Sequence, residues 1–256
     1  MGIKDSDIVI EMSDIYKSFG PQKVHEGINL LIPRNKISVI LGPSGTGKSV
    51  LLKQMMGLIL PDKGDIFVDG ENLVKMDKKQ LLKLRRKFGM LFQGAALFDS
   101  MNVYENVAFP LREHTKFKED EIKNIVMEKL RLVGLVNVEN KMPSELSGGM
   151  RKRVGLARAI ALEPQIILYD EPTTGLDPIM RDMVDNLIYD TQKELDVTSV
   201  VISHDIDSTN KIGDYVSMIY NGKTIINDTI DNFRMTDDPY VKQFLTGSME
   251  GPIKVN

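Results

Sequence analysis

Residues Gly42, Pro43, Ser44, Gly45, Thr46, Gly47, Lys48 and Ser49 form a complete G-x-x-x-x-G-K-[ST] phosphate-binding loop. Glycines at 42, 45 and 47 allow the backbone to turn its amide hydrogens inward, so N–H dipoles and a helix N-terminus converge on one anion. Lys48 supplies a point charge for the outer phosphates of a nucleotide, and the Ser49 hydroxyl suits a Mg²⁺ bridging them. Downstream, Leu146-Ser147-Gly148-Gly149 precedes a helix carrying Arg151, Lys152, Arg153 and Arg158, which offers a second helix N-terminus to an anion. One nucleotide does not need two cradles, but two copies of the chain sharing nucleotides would use both. Ile166 to Tyr169 is an apolar strand that ends in Asp170-Glu171, where an open α/β sheet presents catalytic groups. Asp170 is placed to hold the metal and Glu171 to polarise a water. A further apolar strand, Thr198 to Ser203, delivers His204-Asp205 to the same edge. His25 and His114 lie in polar contexts and are expected at the surface.

The elements that must position these residues are short β-branched runs alternating with amphipathic stretches, the pattern of a mostly parallel sheet with helices on both faces. Strands are expected at Ile8 to Ile10, Val24 to Ile32, Ser38 to Leu41, Asp65 to Val68, Phe88 to Phe92, Ile166 to Tyr169, Ser199 to Ser203 and Val216 to Tyr220. The rhythm stops between Gly94 and Glu163. There Asn102 to Leu111, Glu119 to Val133 and Gly149 to Leu162 read as helices, an inserted helical subdomain. The stretch from Asp237 loses periodicity after Leu245 and reads as a tail.

At 256 residues, with 42% hydrophobic and 27% charged residues, the composition is that of an ordinary globular chain. No apolar stretch approaches the length of a membrane span, and the first residues lack a signal-peptide pattern, so a chain that neither crosses a membrane nor is secreted by that route is expected. The absence of cysteine excludes disulfides, thiolate zinc sites and cysteine nucleophiles. A net charge of −3 gives no footprint for nucleic acid. The basic run from Lys78 to Lys87 is interleaved with Leu81, Leu82 and Leu84 and reads as a solvated helix face. Met1, Gly2 and Ser6 fit the N-myristoylation pattern, a very short motif.

Taken in this order, the motifs resemble the ATP-binding cassette ATPases over essentially the whole chain. The resemblance implies an α/β P-loop NTPase fold: a RecA-like core with an antiparallel β subdomain over 1–93 and 164–245, the helical subdomain over 94–163 and a tail over 246–256. It implies that Gly42 to Val50 bind ATP, that Gln93 is the Q-loop glutamine, Leu146 to Met150 the signature and Asp177 the D-loop aspartate. Lys48, Gln93, Glu171 and His204 are then catalytic, and Ser49, Gln93 and Asp170 serve Mg²⁺. Ser147, Gly148, Gly149 and Asp177 would act in trans from a second copy. Phe19 stands where the family stacks an aromatic on adenine; Tyr16 is the runner-up, though as a strand residue it is expected in the core. Met150, Gly94 to Phe98, Gln243 to Leu245, Gly247 and Gly251-Pro252-Ile253 are similar to the Mla/Mce-type lipid-transport branch. That branch implies a transmembrane permease touching the region after Gln93, with Mce-type substrate-binding and small regulatory subunits, on the cytoplasmic face of the inner membrane. The rival readings are a soluble cassette protein of iron–sulfur assembly type, an importer for another solute, and a nucleotide-binding regulator without turnover.

Overall fold

The computed structural model describes residues 7–254, so the acylation pattern at Met1, Gly2 and Ser6 lies outside the described residues. The chain begins with β1 (Ile8–Phe19), β2 (Gln22–Pro33), β3 (Ile37–Leu41), α1 (Lys48–Met55), β4 (Lys63–Val68), β5 (Glu71–Asn72) and α2 (Lys78–Arg85). Next come β6 (Phe88–Leu91), α3 (Val103–His114), α4 (Glu119–Leu132), α5 (Gly148–Ala159), β7 (Ile166–Asp170) and α6 (Pro178–Leu195). The chain ends with β8 (Thr198–Ile202), α7 (Ile206–Ile212), β9 (Tyr215–Tyr220), β10 (Lys223–Thr229), α8 (Ile230–Met235) and α9 (Pro239–Thr246). They gather into two compact units: the described residues up to Leu81 with those from Ile202 on, and Leu82–Val201.

The first unit contains an antiparallel sheet in the order β2-β1-β4-β5, and a second group in which β3 pairs parallel with β9 and β9 antiparallel with β10. Every residue of β3 is buried, as expected for a parallel strand covered on both faces. Side chains link the two groups: the amides of Asn29 and Leu31 donate to Thr224 Oγ1 and Asn227 Oδ1 at 3.2 and 2.9 Å.

β1 runs well beyond the expected Ile8 to Ile10, and two irregularities flip its neighbourhood. Asp14 takes φ 52°, and Gly27 takes φ 99° where Ile28 pairs with Ile15 but Glu26 with Tyr16. Each is an extra residue in the ladder, and a one-residue slip sends every following side chain to the other face. Two expectations fall on this account. Tyr16 is not core but 38% exposed, and His25 is not at the surface but 1% exposed.

In the second unit β6 and β7 pair in parallel, and α3, α4 and α5 pack on one another around Val107, Leu111, Val126, Leu130, Val154 and Leu156. Asn102 and Glu105 close a capping box on α3, each accepting the other's backbone amide at 2.8 and 2.9 Å. α4 carries Glu119, Asp120 and Glu121 in its first turn and Lys129 and Arg131 in its last, matching the helix dipole. α6 to α9 and β10 were not read from the sequence: α7, α8 and β10 have apolar runs too short to show a period, whereas α6 carries Met180, Met183, Val184, Leu187 and Ile188, and α9 Val241, Phe244 and Leu245, at a helical spacing that went unread. The tail after α9 is ordered on its own chain. The Gln243 amide nitrogen donates to the carbonyls of Ser248 and Ile253 at 3.2 and 3.0 Å, and Lys254 N reaches the Tyr220 hydroxyl at 3.1 Å.

Candidate functional site

In the first unit β3 delivers the phosphate loop. A Cβ at Gly42 would run into the Ile219 carbonyl, so only glycine permits this approach of loop to β9. Gly47 caps α1 from the left-handed region at φ 87°, and its carbonyl accepts the amides of Val50 and Leu51 at 2.9 and 3.2 Å. Lys48 is 4% exposed, and its ammonium donates to the carbonyls of Gly42 and Pro43 at 2.9 and 2.8 Å. Thr46 Oγ1 donates to Pro43 O at 2.9 Å, while Ser44 and Gly45 face solvent at the rim. The loop thus forms a concave cradle with a cation at its base, chemistry suited to a polyphosphate.

His204 follows β8 and is exposed. Its neighbours are fixed: Ser203 N donates to Ile40 O at 3.1 Å, and the Asp205 carboxylate caps α7 through Ser208 N at 3.0 Å. His204 therefore leaves the sheet beside the strand that feeds the phosphate loop. Phe19, at the tip of the β1–β2 hairpin, is 47% exposed with the Lys17 ammonium 5.4 Å from its ring centroid, an accessible face for stacking.

His25 is a component that sequence reasoning missed. Its Nε2 lies 3.2 Å from the Gly47 carbonyl, and its Nδ1 and the Gln54 amide are buried with no hydrogen-bond partner. Burial pushes the imidazole below its ordinary value, opposed by the Gly47 carbonyl and then by the nearby Gln54 side chain. The signal was the left-handed glycine at 27, visible only as Glu26-Gly27 inside a strand.

In the second unit Asp170 ends β7 half-buried, and Glu171 follows in the left-handed region at φ 47°. The Thr174 hydroxyl donates to Glu171 Oε2 at 3.0 Å. Ser147 and Gly148 are exposed at the start of α5, where Ser147 Oγ accepts Met150 N at 3.2 Å; a Cβ at Gly149 would strike the Met180 side chain. Asp177 caps α6, with Oδ1 accepting the amides of Ile179 and Met180 at 3.0 and 3.1 Å. Burial lowers the Lys152 pKa from its ordinary value, and its ammonium donates to the carbonyls of Pro172 and Thr174.

Gln93 is exposed after β6 and opens the loop that includes Ala95 and Ala96, at φ 60° and 48°. This loop is clamped from two helices. Asn106 of α3 exchanges hydrogen bonds with Phe98 at 2.9 and 3.1 Å, and the Arg158 guanidinium of α5 donates to the Ala95 and Ala96 carbonyls at 2.8 Å. Ala95 is buried, whereas Phe98 is 42% exposed and lines a groove of about 650 Å³ with Phe88, Phe92, Phe109, Arg85 and Arg86.

Ser49, Gln93 and Asp170 offer only oxygen donors, and among the described residues no three His, Cys, Asp or Glu form a metal cage of their own. Oxygen is the ligand type that Mg²⁺ takes, beside waters and phosphate oxygens, so the chemistry of each of these side chains suits that ion. No helix among the described residues is long and apolar enough to cross a membrane.

Residues 25–174 match the ABC transporter family. The chain is 48% identical, over 96% of its length and 71% of the relative's, to the probable ribonucleotide transport ATP-binding protein mkl of Mycobacterium leprae. It is 43% identical to the intermembrane phospholipid transport system ATP-binding protein MlaF of Escherichia coli, over 96% of this chain and 91% of that one. Among solved structures, cbiO1 of Clostridium perfringens, part of the transporter complex cbiONQ, aligns with a TM-score of 0.83 at 30% identity over 93% of this chain and 95% of its own. The cassette MJ0796, solved as a dimer in a post-hydrolysis state with ADP and Pi, aligns with a TM-score of 0.78 at 30% identity over 86% of this chain and 98% of its own. A phosphate cradle on a buried parallel strand, an acidic strand end, a signature turn capping its own helix and these likenesses make one assignment: the chain belongs to the ABC transporter family, as an ATP-binding ATPase subunit.

Proposed function

We propose that this ATPase drives a permease that moves phospholipid between the membranes of a bacterial envelope, from the cytoplasmic face of the inner membrane. The observation that carries the lipid reading is the 43% identity to MlaF over 91% of that protein's length. The signature ending in Met150 and the Gly247 to Ile253 tail support it. The whole chain acts as one cassette. Two copies close head to tail on two ATP molecules, a reading supported by the dimeric state of the similar cassette MJ0796.

In this reading Gly42 to Val50 wrap the phosphates, Lys48 neutralises the outer ones and Phe19 stacks on the base. Ser147, Gly148, Gly149 and Asp177 of the other copy close the γ-phosphate end. Ser49, Gln93 and Asp170 would hold Mg²⁺, which would neutralise phosphate charge. Glu171 orients and deprotonates the attacking water, and His204 stabilises charge on the transferred phosphoryl group. The groove at Phe98 takes a helix of the permease, and Mce-type substrate-binding and small regulatory subunits complete the assembly. No nucleic acid is involved.

Glu171→Gln tests the chemistry: it should bind ATP, accumulate as a dimer and lose turnover, and wild-type hydrolysis by this variant would remove Glu171 from the mechanism. Cargo is tested by purifying the chain with its permease and comparing ATP-dependent phospholipid transfer with ribonucleotide uptake in proteoliposomes. Ribonucleotide uptake without lipid transfer would overturn the lipid reading.

A further inference from the structure

Glu171 holds a conformation that a residue with a Cβ rarely adopts, and such strain persists only where the surroundings over-determine it. Local bonds supply part of the restraint. Thr174 Oγ1 donates to the Glu171 carboxylate at 3.0 Å, and Thr174 N donates to the Glu171 carbonyl at 3.3 Å. Thr174 is itself held from another element: Lys152 of α5 donates to the Thr174 carbonyl at 3.1 Å and to the Pro172 carbonyl. Lys152 is 8% exposed, and these two bonds go to neutral backbone acceptors on either side of the catalytic turn. A buried ammonium satisfied only by carbonyls is a costly way to fill space. Of the four basic residues of α5, each of which donates to backbone carbonyls, Lys152 is the one that is buried and the one that reaches the turn after Glu171.

We propose that Lys152 is a positioning residue for Glu171, fixing the water-activating carboxylate through the backbone of Pro172 and Thr174 and the Thr174 hydroxyl. The proposal rests on the reading of Glu171 as that carboxylate. It also gives α5 two tasks. The Ser147 end of this helix is the one assigned to the nucleotide of a second copy, and Lys152 lies on its second turn. A displacement of α5 when that nucleotide binds moves the grip on this copy's own Glu171, so the two ATP sites of a dimer are tied mechanically.

The test is a double-mutant cycle on the full chain, with its permease present, using Lys152→Met, which keeps the stem and deletes the donors, and Thr174→Val, which deletes the hydroxyl link. Misplacing a catalytic group by about 1 Å costs up to about a hundredfold in rate, so each variant should lower kcat about ten- to a hundredfold. KM for ATP, fluorescent-ATP affinity and melting temperature should stay near wild type. Because both act through one carboxylate, the double variant should fall no further than the worse single one. Thr174→Ser, which restores the hydroxyl, should recover kcat. Wild-type kcat in Lys152→Met, additive losses, or an equal loss of ATP affinity would each overturn the proposal. If Lys152→Met does not fold, Lys152→Gln replaces it under the same criteria. Glu171→Gln run in parallel separates the two ideas: its retention of hydrolysis sinks the catalytic reading, whereas its loss beside an unaffected Lys152→Met sinks only the positioning role.

Discussion

The His25 imidazole sets up a measurable conflict between stability and pH. Replacing it with leucine removes a donor to the Gly47 carbonyl, yet that carbonyl keeps the amides of Val50 and Leu51 at 2.9 and 3.2 Å. The loss is therefore that of one ordinary hydrogen bond, about 0.5–1.5 kcal/mol, rather than of a stranded acceptor. Against it, leucine removes a buried Nδ1 that has no partner, a group whose burial costs about 1–3 kcal/mol. At pH 8 the two effects nearly cancel, so His25→Leu should unfold within about 1 kcal/mol of wild type. Acid separates them. The folded-state pKa of His25 lies below the ordinary 6.5, so under pH 6.5 the unfolded chain takes up a proton that the native chain resists. Stability tied to this group is complete above pH 6.5 and drains as pH falls from there toward the folded value. The slope is at most one proton, about 1.4 kcal/mol per pH unit, and leucine has none of it. Urea unfolding of both proteins at pH 8, 7, 6 and 5.5 cancels the shared carboxylates and the other histidines. The difference should move in favour of the leucine variant over the acid limb, by no more than that slope allows. Parallel pH dependences would show that His25 is not held neutral beneath the phosphate loop.

Three further outcomes follow from particular contacts. Gly42→Ala drives a methyl group into the Ile219 carbonyl, an overpacking cost of about 1–3 kcal/mol, and should abolish fluorescent-ATP binding while lowering the melting temperature. Phe98→Asp charges an exposed groove residue outside the phosphate loop and should leave ATP hydrolysis intact while transport with the permease is lost; failure to fold would instead mark Phe98 as core. Gln243→Ala removes the hydrogen bonds to Ser248 and Ile253, including the one from Ile253 N at 2.6 Å, and should expose residues 247–254 to limited proteolysis at a cost of about 1–3 kcal/mol.

The phosphate loop, the acidic strand end and the signature turn were legible because each is a run of residue types whose local backbone does the work. Gly42, Gly45 and Gly47 announce the cradle, and Ile166 to Tyr169 announce the strand that carries Asp170. What stayed hidden depends on register and on distant donors. Alternation counted back from Leu30 and Ile28 sends Val24 inward and His25 outward, and only the ladder slip at Gly27 reverses them. The tail shows the same limit from another side. No periodicity follows Leu245, because Gln243 holds that segment through hydrogen bonds to its backbone, to which side-chain hydropathy is blind.

Among the basic residues of α5, the sequence assigned a general attraction for anions to Arg151, Lys152, Arg153 and Arg158, yet the structure spends all four on backbone carbonyls, Arg151 on Leu146 at 2.9 Å and Arg153 on Gly134 at 3.2 Å among them, and two of the four hold strained loops. Arg158 grips Ala95 and Ala96, which sit at φ 60° and 48°, and Lys152 grips the turn that follows Glu171 at φ 47°. Non-glycine residues in that region each cost on the order of 1–3 kcal/mol and relax unless held. The two strained loops are the one opened by Gln93, assigned to the permease, and the one that opens with Glu171, assigned to the water. One helix therefore restrains both, and its first residues are the turn assigned to a second copy's nucleotide. If α5 shifts as a rigid body, both loops must follow, because the alternative is to strand the buried Lys152 and the half-buried Arg158 without these acceptors. Coupling of nucleotide to permease then needs no chain of intermediates within this unit beyond α5 and two side chains.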